Sequence, residues 1–306
     1  DKAIESIEKQ NYKNWEICIA DDCSPNQEVR EHLLSISNNK IKVKLLDKNQ
    51  GISGATNEAA SLASGDYILL MDNDDELAHS ALHEFYQKIK KDGSEILYSD
   101  MDIIDAKGRT RDPLCKPDWS PDLFLSQMYL GHLVGFKKSL FDEVGGFRSE
   151  FNGSQDYDLL LRMTEKTDKI GHVAEILYHW RDLPSSTAAN PESKPYAQIA
   201  GLNAIQEHLN RVYGSGKAIA HETDNLFVYD VRYPMEEEPM VSIIIPIKDH
   251  VELLKAAIDS IFEKTTYKHY EIIVLNNNSE KEETFAYLRE LVECHENVRV
   301  EDALFE

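Results

Sequence analysis

Strand and helix patterns alternate from the first residues, and that alternation narrows the possible folds more than any other feature. KAIESIEKQ has helical spacing, and NWEICIADD is a short apolar run ending in acids; QEVREHLLSIS is helical again, and IKVKLLD alternates as a strand does. NEAASLAS, closed by Gly65, and SALHEFYQKIKKDG read as helices, whereas DYILLMD and EILYSD read as strands. Such alternation predicts parallel strands joined by crossover helices, hence an open, mostly parallel α/β sheet flanked by helices. Ligands of these sheets sit beyond the carboxyl ends of the strands. ADDCS, LLDKNQG, LMDNDD and YSDMD are the expected strand ends, and all four are acidic. The pattern therefore predicts carboxylates converging on one edge.

With 306 residues the chain can hold one large domain or two ordinary ones. A hydrophobic content of 42% and a charged content of 29% suit a globular protein. The formal charge of -22 argues against nucleic acid as a partner, although a metal ion or a few basic residues would still handle phosphate locally. Cys18, Cys23, Cys115 and Cys294 contain no C-x-x-C pair, which suits reduced cytosolic thiols better than disulfides or a zinc site. No stretch of 18 apolar residues suggests a membrane span. The chain begins at Asp1 without a methionine, so its true start is expected to be missing.

After Asp105 the pattern is broken by Pro113, Pro117 and Pro121; helices are expected at LFLSQMYLG, KSLFDEVGG and QDYDLLLRMTEKT. The strand HVAEILYHW leads into a polar loop, PYAQIAGLNAIQEHLNRVYG is an amphipathic helix, and LFVYDVRYP is a strand before the acidic linker MEEEP. KAAIDSIFEKTTYKHYEIIVLNNNS echoes DKAIESIEKQNYKNWEICIADDCS, and the second copy is preceded by a strand, VSIIIPI, for which the first has no equivalent. Two related domains in tandem are expected: residues 1–234, lacking the first strand, and residues 235–306, the start of a truncated second copy. Asn276 and Asn277 there replace Asp21 and Asp22.

Asp72 and Asp74 stand two apart at a strand end, a spacing that suits a hard divalent cation. The same DNDDE segment also reads as a turn capping the next helix. An EF-hand is excluded because Leu77 occupies the position that needs glycine. GSGKA at Gly214 lacks the first glycine and the final Ser or Thr of a phosphate loop, and no G-x-S-x-G element offers a hydrolase nucleophile.

In order along the chain, ADDCS, NQGISGATN, LMDNDDEL, GSQDYDLLLR and YHWR resemble the inverting glycosyltransferases of the GT-A fold, family 2. YSDMD, KPDWSPDL and YLGHL resemble the bacterial type that builds O-antigen-like surface polysaccharide, including rhamnosyl- and galactosyltransferase-like members. The resemblance covers residues 1 to about 190 and 239 to 300. It implies a nucleotide-sugar donor, UDP- or dTDP-linked, bound by Asp22, Asn49, Gly51, Asn57, Asp72, Asn73 and Arg181. It implies Mn²⁺ or Mg²⁺ on Asp72 and Asp74, with His179 completing the set, while Asn73 and Asp75 orient the turn. Asp156 matches the family's base, although Gln155 departs from its usual glutamate, and Asp158 reads as a helix-start charge.

Lys116, Trp119, His132, Gln155 and Trp180 are the residues expected near the acceptor, a glycan or lipid-linked glycan. The resemblance places the reaction in the cytoplasm, with peripheral contact to the inner face of the membrane. The rival readings are a scaffold that kept the fold and lost catalysis, and a sugar-nucleotide pyrophosphorylase. The pyrophosphorylase would need a glycine- and arginine-rich loop after its first strand, and IPIKDHVE in the second copy has none.

Overall fold

A computed structural model describes residues 2–182, 195–235 and 237–303. The chain divides into two compact units, Asp1–Tyr233 and Pro234–Glu306. The polar loop expected after HVAEILYHW falls at 183–194, outside the described residues.

The first unit runs α1 (Lys2–Glu8), β1 (Ile17–Asp21), α2 (Gln27–Ser35), β2 (Ile41–Leu45), α3 (Gly51–Ser61), β3 (Tyr67–Leu70), β4 (Glu76–Leu77) and α4 (Ala81–Asp92). It continues through β5 (Ile96–Ile104), β6 (Thr110–Leu114), α5 (Pro121–Ser126), β7 (Val134–Lys137), α6 (Lys138–Val144), α7 (Gln155–Thr164) and β8 (Ile170–Arg181). It closes with α8 (Pro195–Tyr213) and the antiparallel pair β9 (Ile219–Glu222) and β10 (Tyr229–Arg232).

The larger sheet is mixed, which corrects the expectation of mostly parallel strands. Its order is β3-β7-β5-β8-β4, with β6 on β5. β5 and β8 run parallel, but β7 lies antiparallel to both β3 and β5, and β4 is antiparallel to β8. The crossovers are as the alternation suggests; a short reversed strand has entered between β3 and β5. VGFK gives little strand signal because Gly135 sits at its centre. A Cβ at Gly135 would come within 3.0 Å of Leu69 and 3.2 Å of Phe85, so a larger residue would have to displace these side chains. β1 and β2 pair in parallel as a separate two-stranded sheet.

β5 lies between β7 and β8 and is buried along nearly its whole length. Ile96, Tyr98 and Phe136 anchor one side of the core with α7 and α8, while Leu97, Phe85 and Tyr178 anchor the other. The strand runs on to Ile104, so Asp100 and Asp102 lie within the sheet and not at its edge. Both are buried, and both are paired to histidines of β8: Asp100 with His172 at 2.9 Å, Asp102 with His179 at 2.5 Å. A buried carboxylate needs such a partner.

α3 begins six residues earlier than its apolar spacing suggests. Asn49 Oδ1 accepts the Gly51 N–H at 3.1 Å, and Gly51 enters the helix at φ +72°, a conformation glycine adopts without strain. The GISGAT stretch is thus the first turns of a helix.

The second unit contains β11 (Val241–Ile247), α9 (Val251–Lys264), β12 (Tyr270–Asn276), α10 (Glu282–Cys294) and β13 (Val298–Asp302), with all three strands parallel. Its β12 turn repeats that of β1. Ser279 N–H bonds the Asn276 side chain at 3.1 Å as Ser24 N–H bonds Asp21 at 3.2 Å, and Asn278 and Cys23 both have positive φ.

Candidate active site

β3 drives its chain into Asp72, Asn73, Asp74 and Asp75, and the four acquire different environments. Asp75 is fully buried. Its Oδ1 accepts the Arg181 N–H at 2.7 Å, and its Oδ2 accepts the Tyr178 hydroxyl. The same hydroxyl oxygen receives the Asp72 N–H at 3.2 Å. Burial, with the charges of Asp72 and Asp74, pushes the Asp75 pKa upward against these bonds. Asp75 therefore props the turn from below. Asp72, Asn73 and Asp74 are left exposed above it.

Arg181 completes that support, and its expected contact with donor phosphate needs correction. The side chain is buried; Nε donates to the Asp74 carbonyl at 2.6 Å and Nη2 pairs with Glu76. The guanidinium holds the acidic turn in place, and its donors face protein.

Ligand atoms of Asp72, Asp74 and Asp75 lie within 4.8 Å of one another. Carboxylate oxygens at that separation are the donor set a hard divalent cation prefers. His179 is outside this cluster. Its Nδ1 bonds Asp102, and it pairs across the sheet with Glu76, beside the turn.

Asp156 opens α7, where its Oδ1 accepts the Tyr157 N–H at 2.8 Å. A cavity of about 100 Å³ is walled by Asp156, Asp72, His132 and Gln155, with Ile52 and Thr56 of α3. Burial raises the Asp156 pKa; the Asp72 charge adds to the rise and His132 opposes it. His132 stacks on Tyr178 at 4.8 Å and brings Nε2 to 3.7 Å from Asp72. Gln155 accepts the Gly153 N–H at 2.8 Å. A second cavity, of about 340 Å³, opens on Asp156 from the side of Met128, Tyr157 and Phe227. One carboxylate of raised pKa thus borders two cavities, and Asp72 of the exposed acids borders the smaller of them.

Other expected site residues lie elsewhere or are engaged. Asp22 Oδ1 accepts the Gln50 N–H at 2.6 Å, and Asn49 donates to the Asp22 carbonyl at 3.1 Å. Asp22, just after β1, and Asn49, just before α3, thus meet at the N-terminus of the helix whose Ile52 and Thr56 line the smaller cavity. Gly51 is held closely against Asn152, 3.0 Å from where a Cβ would stand. Asn57 is corrected to a structural role: its amide bonds both N–H and C=O of Phe147, at 2.9 and 2.8 Å.

Lys116 is likewise no acceptor contact. It is buried, and Nζ donates to the carbonyls of Ser99, Leu130 and His132, each at 2.5 Å. Burial pulls its pKa down to about 8, still above neutrality, so the ammonium keeps three donors for three carbonyls at pH 7. Trp119 packs against Phe124 and Tyr129, and Trp180 packs on the Leu97–Tyr178 side of the core; neither walls either cavity. Asp158 is a buried ion-pair centre, bonded by Arg148 and Arg162, and not merely a helix-start charge. Met128 and Phe227 line the larger cavity without any local motif to announce them.

These features can be set beside known proteins. The model of glycosyl transferase family 2 matches residues 1–145 and 242–302. An uncharacterized protein of Sinorhizobium fredii, y4gI, is 41% identical over 97% of this chain, which spans 33% of that protein. The O-antigen biosynthesis protein RfbC of Myxococcus xanthus is 34% identical over 95% of this chain and 23% of its own length. The chain thus spans a third or less of these two relatives. The crystal structure of S. aureus TarS 1–349 with UDP-GlcNAc superposes with a TM-score of 0.52 at 17% identity, covering 70% of this chain and 69% of that one. This likeness bears on the fold alone, which is the GT-A fold expected above. With its family model matched over more than half of its length, the chain belongs to glycosyl transferase family 2.

Proposed function

We propose that the first unit transfers a sugar, with inversion, from a nucleotide-diphosphate donor to a growing bacterial surface glycan. The observation that carries this reading is the cavity walled by both Asp72, from the end of β3, and Asp156, from the start of α7. Asp156 takes the proton of the acceptor hydroxyl, the freed oxygen bonds the anomeric carbon, and the sugar–diphosphate bond breaks. A carboxylate whose pKa is raised toward neutrality is a better base than an ordinary one.

Asp72 and Asp74 would hold Mn²⁺ or Mg²⁺, and His179, outside their cluster but paired across the sheet with Glu76 beside the turn, is the further ligand of this proposal. The ion, when bound, neutralises charge on the departing diphosphate. TarS, whose structure was solved with UDP-GlcNAc, supports a uridine nucleotide among the donors; dTDP-sugars belong to the same proposal. RfbC, named for O-antigen biosynthesis, supports a polysaccharide product. No helix among the described residues is long and apolar enough to cross a membrane. A lipid-linked acceptor would bring the protein to the cytoplasmic membrane surface by peripheral contact.

Calorimetric titration of UDP in the presence of Mn²⁺ tests the donor side. Asp74→Ala is expected to weaken binding at least about tenfold, because it removes a charged oxygen ligand while the neighbouring Asp75 is committed to Tyr178 and Arg181. UDP binding that is indifferent to Mn²⁺ and to this substitution would leave a scaffold as the better reading.

A further inference from the structure

Burying an ammonium group is unfavourable unless all of its donors find partners. Lys116 is buried, and each residue from Lys116 to Asp118 is fixed to the sheet. The Lys116 N–H donates to Asp100 Oδ1 of β5 at 2.9 Å, and the Tyr98 hydroxyl donates to the Pro117 carbonyl at 2.7 Å. Asp118 lies 3.1 Å from His172 Nδ1, and Nε2 of the same ring lies 2.9 Å from Asp100. The backbone that carries Lys116 is therefore anchored before its side chain reaches out.

The ammonium reaches a segment with little else to hold it. Residues 127–133, between α5 and β7, form neither helix nor strand. Within them the Leu130 and His132 carbonyls receive no backbone N–H among the described residues, and each accepts from Lys116 Nζ. The third donor goes to the Ser99 carbonyl, which ties the segment to β5. Gly131 lies between the two held carbonyls at φ +48°, and a Cβ there would stand 3.8 Å from Nζ. Gly131 and His132 both wall the cavity that Asp72 and Asp156 share, whereas Lys116 stands behind that wall.

We infer that Lys116 is a positioning residue for the transfer reaction: by holding the carbonyls on either side of Gly131, its ammonium fixes the Gly131–His132 wall of the cavity in which Asp156 works. The inference rests on the role proposed for Asp156. Lys116 bonds none of Asp22, Asp72 and Asp74, so its loss is expected to slow the chemical step and spare nucleotide binding.

A neutral amine has two N–H groups for three carbonyls, so loss of one proton releases part of the clamp. The titratable groups around the ammonium are Asp100 and Tyr98 of β5, His172 of β8, Asp118 beyond that ring, and His132, whose carbonyl it holds. Burial outweighs the attraction of Asp100 and brings the Lys116 pKa down to about 8. The folded-state value thus lies below the unfolded one, and stability from this group rises as pH climbs through that range. A fall in rate over the same range therefore has a source other than unfolding.

Steady-state turnover of the whole chain tests the inference, followed as nucleotide released from a panel of UDP- and dTDP-sugars with Mg²⁺. Lys116→Met keeps much of the side chain's length and removes its donors. It is expected to lower kcat by about 10–10²-fold, with KM for the nucleotide sugar within about twofold of the parent. The affinity and stoichiometry of Mn²⁺-dependent UDP binding should stay equally close. In the parent, kcat is expected to fall as pH rises through about 8, with the chain still folded by urea titration, and the residual rate of Lys116→Met should lack that limb. A merely structural lysine would instead lower the fraction of chains that bind UDP and leave the pH profile of the remainder unchanged. Should Lys116→Met fail to fold, the parent profile still decides, because a kcat that stays flat through pH 8 overturns the inference. An undiminished kcat in the folded variant overturns it too, and leaves the transferase reading standing. A parent that releases no nucleotide from any member of the panel would sink that reading, and the inference with it.

Discussion

Asp156→Asn is expected to slow sugar transfer by about 10²–10⁴-fold while leaving Mn²⁺-dependent UDP binding within about twofold of the parent. The amide keeps the shape of the carboxyl group, so it can still accept the Tyr157 N–H that positions it at the start of α7. What it lacks is the ability to take a proton. Nucleotide binding is spared because the exposed carboxylates of Asp72 and Asp74 belong to a different turn. The parent enzyme should also show an acid limb set by this residue. Burial holds the Asp156 pKa above its ordinary value, so the proton-accepting form is lost on acidification at a higher pH than for an exposed aspartate. Single-turnover transfer measured from pH 4 to 8 reports that limb, and it should be absent from the residual rate of the asparagine variant.

Asp158→Ala should act on stability, although it lies only two residues along the same helix. The Asp158 side chain is fully buried and receives Arg148 at 2.5 Å and Arg162 at 2.7 Å. Arg162 also donates to the carbonyls of Val144 and Gly146, both at 2.7 Å, which ties α7 to the end of α6. Removing the carboxylate strands a nearly buried guanidinium, and the expected loss is about 3–5 kcal/mol in the free energy of unfolding. Burial alone would raise the Asp158 pKa, but the two arginines outweigh it and hold the pKa below the ordinary value. The sign follows from that direction. Stability from this group is present above the unfolded-state pKa, about 3.9, and is lost as pH falls through the lower folded-state value. Urea unfolding of parent and variant at pH 7 and pH 3 should show a difference that narrows at the acid end.

The contrast between these two aspartates also indicates what could be read from the residues in order. Strand and helix positions along the first unit were legible because apolar spacing is local. The gathering of Asp72, His132, Gln155 and Asp156 around one cavity was expected from the family resemblance, not from local spacing. Roles set by distant partners were not legible. Asn57 bonds Phe147, 90 residues away, and Arg181 reaches back to Glu76, 105 residues away. Both residue types suit ligand binding equally well until their partners are known. Lys116 was expected near the acceptor, yet three carbonyls from two segments enclose it. β7 escaped notice because four residues with a central glycine carry little pattern, and its entry turned an expected parallel sheet into a mixed one. The wall that Leu226 and Phe227 form in the larger cavity depends on α8 through Gln198, a contact with no counterpart in local spacing.

In the proposed reaction a single proton-accepting carboxylate faces the acceptor while other acids attend the departing diphosphate. The anomeric configuration of the first-formed product, read by ¹H NMR with a donor of known configuration, tests this most directly. Direct displacement assisted by Asp156 predicts a product opposite in configuration to the donor. A product that retains the donor's configuration would require a covalent or front-face route, and would contradict the role given to Asp156.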